Sequence, residues 1–129
     1  MSGFSVITNN PAVVSAYPEI AMFNEVGVLD VYVIVRDMVH KGAKVLSHPL
    51  SGSVKPWETP YKSVAVSCIT GVLDLDSLKC IESAIGMMKN RRMKARAYSQ
   101  RVLDDFGMID LDIINSAIYS RKCNGHGIK

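Results

Sequence analysis

Short apolar runs alternate along this chain with longer segments in which apolar residues recur every three or four positions. Phe4 to Thr8 is an unbroken run of the length of a buried strand. A short helix is predicted after it, because Asn10 suits an N-cap and Pro11 the first helical position. Pro18 ends that helix, and Ile20 to Phe23 is predicted to be a second strand. The pattern therefore opens as strand, helix, strand.

The segment from Val28 to Lys41 fits two structures. Its β-branched run, Val31 to Val35, favours a strand by propensity. A helix is favoured by the spacing of its apolar residues, by its length and by Gly42, which follows where helices commonly end in glycine. We predict a mostly buried helix.

The remaining pattern predicts two strands followed by three helices. Ala43 to Ser47 is the predicted third strand and Ser63 to Cys68 the fourth. The first helix is capped by Asp74 or Asp76, and its apolar residues lie at positions 78, 81, 85 and 88. The second has apolar residues at positions 98, 102 and 106 and ends at Gly107. The last starts near Asp110 and has apolar residues at positions 111, 114 and 118.

This order predicts a single α/β domain over residues 1–129. Residues 1–70 would form the sheet, 71–123 the helices packed on it, and 124–129 a tail. The alternation predicts a Rossmann-like, three-layer arrangement with a mostly parallel four-stranded sheet and a helical C-terminal part. The first and third strands should then be neighbours or nearly so. Ligands of such sheets bind beyond the carboxyl ends of the strands, which here are Thr8 to Asn10 and Ser47 to His48.

The composition is that of a folded globular protein. With 48% hydrophobic and 21% charged residues, the chain matches globular averages and is not a mainly disordered polymer. No apolar run approaches the roughly 20 residues that span a bilayer, and the N-terminus has no signal-peptide pattern, so we expect a cytoplasmic protein without membrane attachment. Three cysteines without a CxxC pair suggest free thiols. Cys123 and His126 are two ligands only, so no metal and no cofactor is predicted.

The net charge of +3 is unevenly distributed. Six basic residues and no acid lie between Lys89 and Arg101, so the rest of the chain is net acidic. A nucleic acid or an acidic protein could dock there, but the usual interpretation is a solvated helix face. Tyr98 is the one aromatic residue in the segment, so little stacking on bases is available and we predict weak nucleic-acid binding at best.

The most unusual segment is the polar loop of residues 47–63, rich in proline, glycine, serine and threonine. Long irregular loops in compact domains are often functional. Gly52 between two serines would let backbone N–H groups approach an anion, and Lys55 would supply charge, although no P-loop pattern is present. His48 is a candidate acid, base or anion donor, or a structural residue that bonds the loop backbone. The alternative is a crossover loop held by its prolines.

Together with the turn after the first strand, the loop supplies the predicted ligand-binding residues. They are Asn9, Asn10, His48, Ser51, Gly52, Ser53, Lys55, Thr59 and Tyr61.

Two of these segments resemble a known family. The strings Ile7 to Pro11, His48 to Pro56 and Glu58 to Ser63 are similar to those of the GrdX family, small proteins encoded beside the glycine reductase genes of anaerobic, amino-acid-fermenting bacteria. The resemblance covers the chain through the helix near Leu78. It implies an association with glycine-reductase metabolism but no reaction and no catalytic residue. Trp57 stands where a polar residue is expected, which argues against a binding role for it.

Three functions remain open. The leading hypothesis is an accessory protein, not an enzyme, that binds a small phosphate or carboxylate compound at the loop and the Asn9–Asn10 turn; its partners would include glycine reductase components or a second copy of the chain. The first alternative is a small enzyme that uses His48 and Lys55 on an acyl or phosphoryl substrate, which would need a second titratable group near His48. The other is a protein or nucleic-acid interaction module built on residues 89–101.

Overall fold

A computed structural model describes residues 3–50, 55–89 and 98–123, with the side chains of 121–123 excepted. The elements are β1 (Phe4–Thr8), α1 (Pro11–Ala16), β2 (Ala21–Phe23), α2 (Val28–His40), a 3₁₀ turn (Pro56–Glu58), β3 (Ser63–Ser67), α3 (Leu75–Lys89) and α4 (Gln100–Cys123). The predictions of the first two strands, of the Asn10 cap with Pro11 behind it, and of a helix over Val28 to Lys41 are confirmed. No helix among these residues is long and apolar enough to cross a membrane.

The sheet differs from the prediction. Within the described residues it has three strands in the order β2-β1-β3, with β1 parallel to β2 and antiparallel to β3. The prediction of a mostly parallel, four-stranded Rossmann-like sheet is therefore wrong. Residues 43–47, the predicted third strand, are not a strand of the sheet; they lie beside β3, which separates them from β1. Over the described part of the chain, the protein is of the α/β class, with a mixed three-stranded sheet and four α-helices.

The predicted third strand fails because serine hydroxyls interrupt its ladder. Residues 43–47 run along the outer edge of β3 and form one isolated antiparallel bridge, Val45 to Val66. The two backbone N–H groups that would extend the pairing donate instead to serine oxygens: Lys44 to Ser67 Oγ at 2.7 Å, and Ala65 to Ser47 Oγ at 2.8 Å. A serine beside the backbone competes in this way with regular pairing. The segment covers the edge of β3 without becoming a strand.

Helices lie on both faces of the sheet because its side chains alternate. Val6 pairs with Ala65 and faces α1 and α4, whereas Ile7 pairs with Val64 and faces α2 and α3. Each face has its own apolar core. The larger core joins α2 and α3 to the sheet, and the smaller one is built from Val13 of α1, Ile114 and Ile118 of α4, and the strand residues Val6 and Ala65.

Gly42 ends α2 as predicted. It has a φ of +108°, which glycine adopts without strain, and a Cβ there would lie 2.3 Å from the backbone nitrogen of Gly71. The β-branched residues of α2 are accommodated because Val31 and Val35 project one turn apart into the same core.

The prediction that one helix ends at Gly107 and another begins near Asp110 is wrong. α4 runs without a break from Gln100 to Cys123. Gly107 is buried inside it, and a Cβ there would lie 3.2 Å from Asn10 Oδ1. Glycine serves here for the close approach of α4 to the turn after β1, not as a terminator.

Candidate functional site

A buried polar cluster lies where the end of β1 meets the start of β3 and the middle of α4. We call it the polar junction. Its members are each at least nine-tenths buried: Thr8, Asn9, Asn10, Lys62, Ser63 and Asp110. The sequence indicated the two asparagines as site residues and missed Lys62, Ser63 and Asp110.

Asp110 is the centre of the polar junction. Its carboxylate accepts hydrogen bonds from the backbone N–H of Ser63 at 3.1 Å, from Ser63 Oγ at 2.7 Å and from Asn10 Nδ2 at 3.0 Å. An isolated buried carboxylate is costly, and donors of this kind offset the loss of hydration. Asp110 thus ties α4 to the start of β3 and to the N-terminus of α1, and it reaches Thr8 of β1 only through the Ser63 hydroxyl.

The hydroxyls of the junction form a directed chain. Ser63 has a single hydroxyl hydrogen, and it points to Asp110. Thr8 Oγ1 must therefore be the donor in its 2.7 Å contact with Ser63 Oγ, while it accepts the backbone N–H of Asn10 at 2.9 Å. The chain runs from Asn10 through two hydroxyls to the carboxylate.

Both asparagine side chains use their amide hydrogens within the chain. Asn9 Nδ2 donates to the carbonyls of Val26 at 2.8 Å and Pro60 at 2.9 Å, and its Oδ1 accepts the backbone N–H of Lys62 at 2.8 Å. Asn9 therefore fixes the last residues of the loop against the turn that precedes α2.

The Asn10 side chain joins the start of α1 to α4 in the same way. Its Nδ2 donates to the carbonyl of Gly107 at 2.9 Å as well as to Asp110, and its Oδ1 caps α1 by accepting the N–H of Ala12 at 3.0 Å. These amides hold the loop and α4 around Lys62, so a ligand here would need other donors.

Lys62 is the buried cation of the site, with 4% of its surface exposed. Burial lowers the pKa of its ammonium group, and the neighbouring charge of Asp110 acts in the opposite direction. It lines a crevice of about 10 Å³ together with Thr59, Tyr61, Asp110 and two isoleucines of α4. A volume of about 10–15 Å³ admits one water-sized group, such as a single oxygen atom of a ligand.

A larger pocket adjoins this crevice. It has a volume of about 240 Å³ and is lined by Asn10, Pro11, Ala12, Tyr61, Gln100, Leu103, Asp104, Gly107 and Met108. Tyr61 lines both spaces. The two spaces thus share Tyr61 as a lining residue, and the larger one has room for the body of a small ligand.

The loop also begins at a buried polar contact. Tyr32 of α2 is fully buried and donates its hydroxyl to the carbonyl of Pro49 at 2.6 Å. Burial raises the pKa of this phenol well above its usual range, with smaller contributions from Asp110 and Cys80. The tyrosine anchors the first residues of the loop to the larger core.

The predicted site residues fall into separate groups. Asn9, Asn10, Thr59 and Tyr61 lie at the polar junction or along the crevice. Ser51, Gly52 and Ser53 lie outside the described residues, as do residues 90–97 of the basic segment.

His48 and Lys55 lie away from the crevice beside Lys62, and Lys55 does not line the pocket that His48 lines. His48 is exposed, its Nδ1 accepts the N–H of Leu50 at 3.1 Å, and it lines a pocket of about 210 Å³ with Val45, Leu46, Asp74, Asp76, Ser77 and Cys80. The ammonium group of Lys55 is exposed and lies 5.6 Å from the centre of the Trp57 ring. Neither residue lines the crevice beside Lys62.

One sequence signal could have identified Asp110. It precedes Ile114 by four positions and Ile118 by eight, so it lies on the buried face of α4. A carboxylate on an apolar stripe needs buried donors, which marks it as part of a polar cluster. Lys62 carries no comparable signal, because a lysine just before a strand is ordinarily exposed. Among the described residues, no group of three or more His, Cys, Asp or Glu side chains could hold a metal ion.

The chain matches the model of a known protein family. The model of a protein family described as GrdX-like protein matches residues 5–119, which include every member of the polar junction. No curated protein and no solved structure matches the chain.

Proposed function

The chain belongs to the GrdX-like protein family, and on that premise we propose that it is an accessory protein of glycine-reductase-type amino-acid metabolism. It binds a small anionic compound, a carboxylate or a phosphate, with one oxygen of the ligand beside Lys62. The observation that carries this proposal is the placement of Lys62, which is 4% exposed at the end of the loop and lines a crevice.

Lys62 is the positive charge that supports an anion, although Asp110 lines the same crevice. Three donors from Ser63 and Asn10 serve the carboxylate of Asp110, so its charge does not depend on Lys62 alone. Burial has removed much of the hydration of Lys62, which is why its pKa is lowered. An anionic oxygen beside the ammonium group would add a charge-assisted interaction, a kind that is among the strongest in proteins.

The size of the site supports a small ligand. The crevice of about 10 Å³ admits one oxygen atom, and the adjoining pocket of about 240 Å³ leaves space for a few more heavy atoms past Tyr61. The hydroxyl of Thr59 already accepts the N–H of Tyr61 at 3.2 Å, which holds the rim of the crevice in place. The donors predicted at Ser51 to Ser53 belong to the same loop.

We rank the enzyme hypothesis lower. It requires His48 and Lys55 to act together, whereas His48 shares its pocket with two aspartates and Lys55 lies against Trp57. Asp74 and Asp76 are titratable groups near His48, but Asp74 already accepts two hydrogen bonds from Ser77, at 2.6 and 3.1 Å, which assign it to the start of α3.

The proposal is tested by titrating phosphate, acetate and acetyl phosphate into the protein by calorimetry, with thermal unfolding in parallel. A ligand at a hundredfold excess over its dissociation constant should stabilise the native state by about 2.7 kcal/mol. Lys62→Met should abolish binding. Lys55→Ala is the matched control, because it removes the same charge from an exposed position of the same loop.

Removing Lys62 alone takes a neighbouring positive charge away from Asp110, and the loss of one member of a fully buried charge pair costs about 3–5 kcal/mol. The double variant Lys62→Met with Asp110→Asn lowers that cost and keeps the binding measurement on folded protein. Failure of all three anions to bind the wild type would overturn the proposal. Equal binding by both lysine variants would overturn it too, and loss of binding in Lys55→Ala alone would move the site to the loop tip.

A further inference from the structure

Asp104 places a negative charge in the larger pocket, which adjoins the crevice beside Lys62. Among the described residues that line this pocket of about 240 Å³, Asp104 alone carries a charge. Its side chain is exposed, and its Oδ1 accepts a hydrogen bond from Gln100 Nε2 at 2.8 Å. A carboxylate has further acceptor positions, so Asp104 can also bind a cationic group of a ligand.

The crevice and the larger pocket follow one another along α4. The α4 residues that line the larger pocket lie between positions 100 and 108, and those that line the crevice lie between positions 109 and 113. Tyr61 lines both spaces, and a Cβ at Gly107 would lie 3.7 Å from its ring, so the ring is seated on α4 near the boundary between them. A ligand that occupies both spaces therefore runs along α4 and past this ring.

The spacing of two carboxylates along α4 sets the length of such a ligand. Asp110 lines the crevice together with Lys62, and Asp104 precedes it by six positions on the same helix. A helix rises about 1.5 Å per residue, so the two positions are about 9 Å apart along its axis. A ligand with a carboxylate beside Lys62 and a cation beside Asp104 therefore needs a chain between the two groups. An α-amino acid carries both groups on one carbon and is too short.

We propose that the ligand is an ω-amino carboxylate, a chain of methylene groups with a carboxylate at one end and an ammonium group at the other. This rests on the proposed function, because the carboxylate is the anion that binds beside Lys62. The ammonium group binds Asp104, and the methylene groups pack against the apolar lining of the larger pocket, which includes Pro11, Leu103 and Met108. A phosphate ester or a dicarboxylate of the same length would bring a second negative charge to Asp104, and like charges repel.

The first test compares matched pairs of ligands by calorimetry at low ionic strength. 5-Aminopentanoate should bind the wild type about three- to fivefold more tightly than pentanoate, which is the gain expected from one exposed ion pair. Glycine should show no such gain over acetate, because it cannot reach from Lys62 to Asp104. If pentanoate bound as tightly as 5-aminopentanoate, or if glycine showed the same gain over acetate, the ω-amino proposal would be overturned while carboxylate binding beside Lys62 stood.

The second test assigns the ammonium group to Asp104. Asp104→Asn should bind 5-aminopentanoate and pentanoate with similar affinity, because the partner of the ammonium group has lost its charge. Asp105→Asn is the matched control and should keep the preference, since it removes the same charge from the next residue, which is exposed and does not line the pocket. A preference that survives in Asp104→Asn, or that Asp105→Asn also abolishes, would overturn the proposal. Carboxylate binding that Lys62→Met leaves intact would instead overturn the proposed function, and this inference with it.

Discussion

Gly107 offers the sharpest test of how closely α4 packs against the polar junction. A glycine in the middle of a helix is ordinarily destabilising, so its replacement by alanine should stabilise α4 by roughly 0.5–1 kcal/mol. At this position the added Cβ would lie 3.2 Å from Asn10 Oδ1 and 3.7 Å from the Tyr61 ring. A contact of 3.2 Å is too close, so Asn10 or α4 would have to shift by a few tenths of an ångström.

Asn10 cannot easily shift. Its side chain makes three hydrogen bonds, to Ala12, Gly107 and Asp110, and its backbone N–H makes a fourth to Thr8. Overpacking a well-packed site typically costs about 1–3 kcal/mol. Set against the gain in helix propensity, this cost leaves Gly107→Ala destabilised by about 1 kcal/mol.

Gly86 provides the matched control. It lies inside α3, and a Cβ there would meet no atom within 4 Å. Gly86→Ala should therefore stabilise the protein by roughly 0.5–1 kcal/mol. Urea denaturation of both variants, followed by circular dichroism, measures the difference. If Gly107→Ala were stabilised as much as Gly86→Ala, the close packing of α4 against the polar junction would be refuted.

Two further predictions concern buried groups. Tyr32→Phe should lower the free energy of unfolding by about 1–3 kcal/mol, because the carbonyl of Pro49 loses its 2.6 Å donor; an unchanged urea midpoint would contradict this. The pKa of Lys62 is lowered in the folded state. Just below the ordinary lysine pKa of 10.5, the folded protein therefore binds fewer protons than the unfolded chain. In that pH range the contribution of Lys62 to the free energy of unfolding rises with pH. The stability of the wild type relative to Lys62→Met should therefore increase towards that pH, and a flat or falling difference would exclude the effect.

The parts of the fold that the sequence predicts correctly depend on neighbours along the chain. The cap at Asn10, the proline behind it and the glycine that ends α2 act within a few residues, so local rules suffice for them. α2 is predicted in spite of its β-branched run because the helical spacing of its apolar residues reflects burial, which outweighs propensity.

The parts that it misses depend on distant residues. Residues 43–47 have the composition of a strand, and what prevents the strand is the pairing of Lys44 and Ala65 with the oxygens of Ser67 and Ser47. The sequence does not distinguish a serine whose hydroxyl interrupts strand pairing from a serine within a regular strand. The direction of β3 relative to β1 is likewise undetermined by any local pattern, and the loop before β3 is long enough for either direction.

Contacts between distant residues also decide which residues of the site the sequence reveals. Asn9 and Asn10 are found because polar residues at the end of a buried strand are conspicuous. Asp110 contacts Asn10 across 100 positions of sequence and Ser63 across 47, so no local pattern reports either contact. Interpreting Gly107 as a helix terminator also placed Asp110 at a helix start, where a carboxylate is expected to be exposed. One error about a glycine thus concealed the buried carboxylate that organises the site.

The polar junction also couples the site to the stability of the fold. Asp110 lies one turn before Ile114 on α4, so the helix that supplies the smaller core also supplies the carboxylate that holds β3 and the α1 cap. Loosening the junction would therefore separate α4 from the sheet, and not merely open a loop. The anion that we propose beside Lys62 would contact this same cluster, so its binding free energy would be added to the stability of the folded state. Ligand binding at the crevice should accordingly raise the unfolding midpoint of the whole domain, rather than protect the loop alone.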